Sequence, residues 1–232
     1  MAVRILRTLE EKNRTRALYE AVFPEDSRAF LDYYYEDRCR DNSIVVKECG
    51  GEILSMAHLN PFRMRVFGRE VPAVYIYAVA TREDCRHRGY MREVLGEAFS
   101  LMREDHIPFC FLIPVEEEIY LPFGFRKIAK LREEGTLLPE TELAAGYDIY
   151  CIRDADYIRR REREKLLEEQ EAGAAAAEDG GGNAGLPADP VVMAKPLDLS
   201  VFRTLSGLPA SAREPEMLCW LSRQRIWISE SV

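Results

Sequence analysis

The 232-residue chain has little of what marks a metal site, a disulfide scaffold or a membrane protein. Its six cysteines are scattered and form no C-x-x-C pair, so the sequence indicates neither a zinc site nor a disulfide framework. We therefore expect reduced thiols, as in the cytosol. No apolar run approaches the roughly 20 residues that cross a bilayer, and the N-terminus does not have the pattern of a signal peptide. The sequence predicts a cytoplasmic protein with no membrane span and no bound metal.

The chain also has fewer basic residues than acidic ones. The chain has 32 lysines and arginines against 40 aspartates and glutamates, which gives a formal net charge of −8. A chain of this charge repels phosphate backbones and anionic membranes, and it suits a cationic partner. The hydrophobic content of 47% and the charged content of 31% are ordinary for a globular protein with a sizeable core. We expect no binding to nucleic acid or to membranes.

Residues 71–102 have the pattern of one strand, one charged turn and one helix. The apolar run at 71–80 is rich in β-branched and aromatic residues and has strand length. From Met91 to Met102, apolar residues recur at helical spacing. Between the two, residues 86–91 (RHRGYM) place a glycine among basic residues where unpaired N–H groups and the positive end of a helix converge. This turn predicts an anion site that fits a pyrophosphate.

This succession resembles the acetyl-CoA motif of the GNAT N-acetyltransferases, whose general pattern is Q/R-x-x-G-x-G/A. Arg86 and Gly89 match the pattern, whereas Met91 stands where the last small residue is usual. The strand end VAT at 79–81, the R-x-R-G turn and a large apolar residue after it more closely resemble the enhanced-intracellular-survival (Eis-like) branch. The alternative is an ordinary basic helix start in an α/β domain. The resemblance implies an acetyl-CoA site formed by Val79, Ala80, Thr81, Arg86, His87, Arg88, Gly89, Tyr90, Met91 and Arg92.

The rest of the first 130 residues has the pattern of a sheet flanked by helices. Strands are predicted from alternating or wholly apolar runs at residues 3–9, 43–48, 52–59, 62–67 and 108–114. Helices are predicted at residues 15–23 and 28–40. The resemblance implies an α/β (α+β) fold of the GNAT acyl-CoA acyltransferase type, with a mixed central sheet. In that fold, the strands at 71–80 and 108–114 are parallel and splay apart to receive the pantetheine arm.

A second motif lies at residues 119–125 (IYLPFGF). It resembles the Y-x-x-x-G-F/Y signature of Eis-like enzymes, in which the tyrosine is the proton donor. The resemblance implies that Tyr120 protonates the departing CoA thiolate. The alternative is a tyrosine packed under the loop with its hydroxyl in solvent.

The base that would deprotonate the acceptor amine has several candidates. Tyr75 and Tyr77 occupy the part of the central strand where many GNAT enzymes place a glutamate. Glu116 lies near Tyr120 and would act through water, although an acidic helix start explains it equally well. Eis-like enzymes are thought to use their own C-terminal carboxylate, here that of Val232. The alternating residues 226–228 predict a final strand that pins this chain end.

In GNAT folds, the pair of helices after the first strand forms one wall of the acceptor site. Glu25, Asp26 and Asp32 would give that wall a negative potential, although a solvated helix edge explains them as well. The predicted function is acetyl-CoA-dependent N-acetylation of a small-molecule or peptide amine by direct transfer in a ternary complex. A cationic aminoglycoside, polyamine or lysine-like amine is expected. The alternatives are a non-catalytic acyl-CoA-binding or regulatory module and an assembly subunit.

The composition changes after residue 150. Residues 1–150 are predicted to form the acetyltransferase domain, and 151–171 a charged helix with i,i+4 ion pairs. Residues 172–190 (AGAAAAEDGGGNAGLPADP) have the composition of a low-complexity linker. Residues 191–232 regain apolar content and resemble the two ends of the sterol-carrier-like domain of longer Eis-like proteins. The sequence leaves open whether the chain forms a homo-oligomer.

Overall fold

The computed structural model of the chain describes residues 2–132, 138–175 and 189–229. The strands are β1 (Ala2–Leu6), β2 (Ser43–Cys49), β3 (Glu52–Val66), β4 (Arg69–Thr81), β5 (Phe109–Leu112), β6 (Arg126–Lys130), β7 (Ile149–Cys151), β8 (Val191–Pro196) and β9 (Ile226–Trp227). The helices are α1 (Leu9–Asn13), α2 (Arg16–Val22), α3 (Arg28–Glu36), α4 (Tyr90–Glu104), α5 (Glu117–Tyr120), α6 (Glu140–Gly146), α7 (Ala155–Ala175), α8 (Leu199–Ser206) and α9 (Glu214–Ser222). Short 3₁₀ turns lie at Arg38–Arg40, Glu83–Cys85 and Leu121–Phe123.

The strands form one mixed sheet in the order β1-β2-β3-β4-β5-β8-β6, with β7 paired to β3 and β9 paired to β7. Strands β1 to β4 are antiparallel, and β5 lies parallel to β4. Strand β8 is antiparallel to both β5 and β6. The predicted mixed central sheet flanked by helices is therefore confirmed.

Helices cover both faces of this sheet. On one face, α4 packs its apolar side into the main hydrophobic cluster, which includes Val45 of β2. The neighbouring Val46 belongs to a second cluster, together with Leu18 of α2 and Leu31 of α3. Since neighbouring residues of a strand point to opposite faces, α2 and α3 cover the face opposite α4.

Three predicted strands are wrong in their bounds. The runs at 52–59 and 62–67 belong to one strand, β3, in which Pro61 pairs in register with Val74. Pairing of β3 with β2 ends at Leu59 and pairing with β7 begins at Met64, so Pro61 falls where its missing N–H interrupts no ladder on that side. The predicted strand at 3–9 ends at Leu6, because Thr8 and Glu11 form a capping box that starts α1.

Chain segments beyond residue 150 join the same sheet. The charged helix predicted at 151–171 begins later, since α7 starts at Ala155 and Cys151 belongs to β7, and it continues to Ala175. Residues 176–188 of the predicted linker lie outside the described residues. Strand β8 lies between β5 and β6, and its residues Val192, Met193 and Ala194 are fully buried in the main cluster. Residues of α8, α9 and β9 share that cluster. The division into domains at residue 150 stays a prediction.

Candidate active site

The notch of the sheet lies where β4 and β5 separate. Their parallel ladder pairs Val74 with Cys110 and Tyr75 with Phe111. Past Tyr75, β4 stays paired with β3 as far as Thr81, while β5 stays paired with β8. The predicted parallel pairing and splaying of these strands are confirmed. Tyr75, the last residue of this parallel ladder, is 3% exposed and its ring stacks on Phe111 at 5.3 Å.

A β-bulge lies in β4 beside this notch. Met56 pairs with Ala80 and His58 pairs with Tyr77, so Ala78 and Val79 together oppose Ala57. The φ angle of Ala78 is +45°, a left-handed conformation that is strained for a residue with a side chain. The bulge takes backbone groups of β4 out of the ladder at the notch. Sequence reasoning missed it, because no glycine marks the positive φ.

The charged turn leads from β4 into α4. Gly89 is the N-cap residue with φ +82°, and a Cβ added there would meet none of the described atoms within 4 Å. The space beside Gly89 at the start of this 15-residue helix is therefore open. Arg86, His87 and Arg88 are all exposed beside it. These residues fit the pyrophosphate of a CoA molecule by charge and by shape.

The structure brings the strand end and the turn together. The Arg86 Nε donates to the carbonyl oxygen of Thr81 at 3.5 Å. Ala80 and Tyr90 are buried, so they can offer a ligand only their backbone. Val79 and Met91 are half-buried against the main cluster. All ten residues predicted to bind the cofactor thus lie on one continuous strand–turn–helix unit, and their binding role stays a prediction.

Lys47 is a residue of this region that the sequence did not indicate. It lies on β2, is 6% exposed, and pairs with Glu93 in the first turn of α4. Its ammonium group also lies 5.7 Å from the centre of the Tyr90 ring. The pair neutralises the acidic residue nearest the helix start, which would otherwise repel an anion.

Tyr120 ends α5, which follows the notch strand β5. Its ring packs edge-on against the fully buried Phe125 at 5.9 Å. Burial raises the pKa of Tyr120 to about 12. The phenol therefore keeps its proton at neutral pH, as a proton donor must.

The glycine of the second motif holds the same loop in place. Gly124 has φ +87°, and a Cβ there would lie 2.8 Å from the Nζ of Lys195 on β8. The positive φ favours a glycine here, whereas the Lys195 side chain could move aside for a Cβ. The glycine of the motif Y-x-x-x-G-F thus stands where the backbone conformation favours one.

Of the two candidate bases, Glu116 and Val232, the structure describes only Glu116. Glu116 is exposed at the N-cap of α5, and within the described chain its side chain makes no capping bond. Val232 lies outside the described residues. The predicted final strand is confirmed, since β9 pairs with β7 and Ile226 and Ile228 are buried. The role of either carboxylate stays a prediction.

The helix wall opposite α4 holds one unforeseen connection. Asp32 pairs with Arg16 at 2.7 Å, which neutralises it. Asp26 instead accepts a hydrogen bond from the Tyr19 hydroxyl at 2.6 Å, and Tyr19 meets the Tyr77 hydroxyl at 2.5 Å. Tyr77 is 58 residues from Tyr19 in the sequence, and no spacing pattern relates the two, so this connection could not be predicted.

No helix in the described part of the chain combines the length and the apolar content of a membrane span. Among the same residues, no group of three or more histidine, cysteine, aspartate and glutamate side chains could hold a metal ion.

Comparisons with known proteins agree with this geometry. The family model described as "Acetyltransferase (GNAT) domain" matches residues 3–128. No curated protein matches the chain. The GCN5-related N-acetyltransferase from Kribbella flavida is 13% identical, with a TM-score of 0.56, and the match covers 88% of this chain and 73% of that one.

Two further solved structures are larger than this chain. Eis1 from Mycobacterium abscessus is 14% identical, with a TM-score of 0.55, over 73% of this chain and 49% of that one. A conserved protein from Enterococcus faecalis V583, described as a probable N-acyltransferase, is 17% identical with a TM-score of 0.52. That match covers 56% of this chain and 33% of the other. At such identities, these likenesses show the fold alone.

Proposed function

This chain belongs to the GNAT acetyltransferase family, acyltransferases of the EC 2.3.1 class with acetyl-CoA as co-substrate, and on that premise we propose that it acetylates a small cationic amine. The transfer is direct, within a ternary complex of the protein, acetyl-CoA and the amine. The observation that carries the proposal is the open glycine turn at the start of α4, directly after the strand that borders the notch. The two motifs support placing the chain in the Eis-like branch.

The residues of the turn would hold acetyl-CoA by its pyrophosphate. Backbone N–H groups in the first turn of α4 would donate to the phosphate oxygens, which Gly89 allows to approach. The exposed Arg86 and Arg88 would add charge-assisted hydrogen bonds. The bulge at Ala78 offers backbone groups to the pantetheine arm. When bound, acetyl-CoA supplies the activated thioester.

Tyr120 is the proposed general acid. Its neutral hydroxyl would protonate the CoA thiolate as the thiolate leaves, a step that typically contributes about 10²–10⁴-fold to the rate. Its position is supported by the contact between the two motifs, since Arg92 lies over the ring of Phe123. For the base, the sequence candidates are the Val232 carboxylate and Glu116.

The acceptor is proposed to be cationic because of charge. The chain carries a formal net charge of −8, and the helix wall opposite α4 presents Glu25 and Asp26. A negative potential raises the local concentration of a cationic substrate and its association rate. Aminoglycosides, polyamines and peptides with a free lysine are the acceptor classes to test.

Thiol release from acetyl-CoA across that panel tests the proposal. We expect release to exceed the rate without acceptor for at least one class, with one acetyl group added to the amine. Tight CoA binding with no acceptor-dependent release across the panel would contradict the proposal. That outcome would favour a non-catalytic acyl-CoA-binding module instead.

A further inference from the structure

We infer that the proton of the acceptor amine leaves through three side chains, from Tyr77 through Tyr19 to Asp26, with Asp26 as the terminal base. The inference rests on the proposed acetyl transfer to an amine. It replaces Val232 and Glu116 with a route through described residues.

The hydrogen bonds have a single direction. The Asp26 carboxylate can only accept, and the Tyr19 hydroxyl donates to its Oδ2 at 2.6 Å. The one proton of Tyr19 is thereby committed, so its oxygen accepts from the Tyr77 hydroxyl at 2.5 Å. Both distances are at the short end for hydroxyl donors. The chain therefore runs from Tyr77 toward Asp26.

One end of this chain lies at the notch. Tyr77 is two residues past Tyr75, where β4 and β5 cease to pair, and it directly precedes the bulge at Ala78. The Tyr77 side chain is half-buried, and its ring lies 5.7 Å from that of Tyr75. Its hydroxyl meets Tyr19 of α2 on the face opposite α4, while its ring also packs against the main cluster. Tyr77 thus reaches from the notch to the helix wall, and the proposed route places the acceptor amine at its hydroxyl.

The other end lies near solvent. Asp26 is half-buried in the loop between α2 and α3, so water can take its proton after each turnover. Between the two ends, Tyr19 is 1% exposed and packs among aromatic rings, with Tyr34 at 6.0 Å and His58 at 6.1 Å. Burial raises the pKa of both Tyr19 and Tyr77 well above the usual value for a tyrosine. Both hydroxyls therefore stay neutral at neutral pH. Each accepts one proton as it donates another, so neither tyrosine keeps a net charge.

The transfer balances without a co-reactant. An N–H bond of the ammonium group breaks as its proton joins the Tyr77 oxygen. The original Tyr77 proton moves to Tyr19, and the original Tyr19 proton moves to Asp26. The net change converts an ammonium ion and a carboxylate into a neutral amine and a carboxylic acid, and the amine lone pair is then free to attack the thioester.

The basicity of the acceptor amine distinguishes a proton relay from a purely structural role of these residues. A relay increases kcat for an amine that binds in its protonated form, and it has little effect on kcat for an amine that binds in its neutral form. The test compares kcat at saturating acceptor, at pH 7, for the best amine of the panel and for its β,β-difluorinated analogue. Fluorination lowers the basicity of the amine and changes its shape little.

The variants are Tyr19→Phe and Asp26→Asn, with Asp26→Glu as the conservative rescue. Tyr35→Phe is the matched control, because it removes another buried hydroxyl of the same aromatic layer, bonded to Thr15 at 2.7 Å. Circular dichroism and CoA calorimetry would establish that each variant is folded and binds CoA as the wild type does.

We expect Tyr19→Phe and Asp26→Asn to lose about 10²-fold or more in kcat with the basic amine and less than about threefold with the fluorinated one. Asp26→Glu should recover part of the lost kcat with the basic amine. Tyr35→Phe should keep the wild-type kcat with both amines. Equal losses with both amines, or no loss in the two relay variants, would overturn the relay alone. A wild type that acetylates no acceptor would overturn the proposed function, and with it the reaction that the relay serves.

Discussion

The guanidinium group of Arg92 lies 5.4 Å from the centre of the Phe123 ring. Arg92 stands in the first turn of α4, after the glycine turn, and Phe123 stands three residues after Tyr120. This cation–π contact joins the two motifs, which are about 30 residues apart in the sequence. The proposed cofactor site and the proposed acid are thus held next to each other.

Gly89→Asp should abolish most CoA binding. The change forces a side chain onto φ +82° and places a carboxylate at the open side of the helix start. We expect at least a tenfold weaker Kd for CoA, equivalent to about 1.4 kcal/mol, by calorimetry. Gly96→Asp is the control, because it adds the same charge to an exposed position of α4 with open space around it. Equal CoA affinity of the two variants would refute the cofactor assignment.

Tyr120→Phe should separate binding from turnover. Loss of the hydroxyl leaves the ring packing against Phe125 in place, so CoA affinity should be unchanged. Acceptor-dependent thiol release should fall by about 10²–10⁴-fold, because the thiolate would leave unprotonated. Tyr147→Phe, which alters a half-buried tyrosine beside Trp227, should keep wild-type turnover. Normal turnover in Tyr120→Phe would remove this residue as the acid.

His58 should make the fold sensitive to acid. It is fully buried, and burial with the nearby charge of Lys12 lowers its pKa from 6.5 to about 3. Below pH 6.5 the unfolded chain therefore binds a proton at His58 that the folded chain does not bind. The free energy of unfolding falls as the pH drops through this range. From pH 7 to pH 5 this costs about 2 kcal/mol of unfolding free energy.

The check is urea unfolding at both pH values in wild type and His58→Gln. The variant lacks the titrating ring, so its unfolding free energy should drop by about 2 kcal/mol less than that of the wild type. Identical drops would show that the buried imidazole does not govern the acid response.

Asp198 should stabilise the segment after β8 as the N-cap of α8. Its side chain accepts from the backbone N–H groups of Ser200 and Val201. The hydroxyl of Ser200 and the ring of His106 also bond it, and together these bonds hold its pKa well below the usual range. A depressed carboxyl pKa gives stability that is present above the unfolded pKa of about 3.9 and is lost as pH falls toward the folded value.

Asp198→Ala should lower the unfolding free energy at pH 7 by about 0.5–2 kcal/mol. Asp198→Asn keeps a capping oxygen and should lose less. A loss in Asp198→Asn equal to that in Asp198→Ala would show that charge, not capping, is what stabilises the helix start.

Local pattern was sufficient for the strand–turn–helix unit and for most of the sheet. The apolar run of β4, the glycine before α4 and the apolar stripe of that helix each reflect short-range physics. The bulge at Ala78 could not be predicted from the sequence, because its positive φ is imposed by pairing with β3 and alanine does not favour that conformation.

Long-range pairing was the other limit. The apolar run at Val191–Pro196 indicates a strand, but nothing in it names β5 and β6 as partners. In the same way, the hydroxyls of Tyr19 and Tyr77 meet only because α2 packs on the face of β4. Such contacts follow from tertiary packing, which short-range spacing does not encode.

A measurement of acetyl transfer to an amine tests the proposed function most directly. Wild type and Gly89→Asp would be incubated with acetyl-CoA and each amine class, and both products would be measured, free CoA thiol and the acetylated amine by mass spectrometry. We predict equal amounts of thiol and acetylated amine for at least one cationic acceptor with wild type, and neither product above background with Gly89→Asp. Acetylated amine from both proteins at the same rate, or none from wild type with any acceptor, would contradict it.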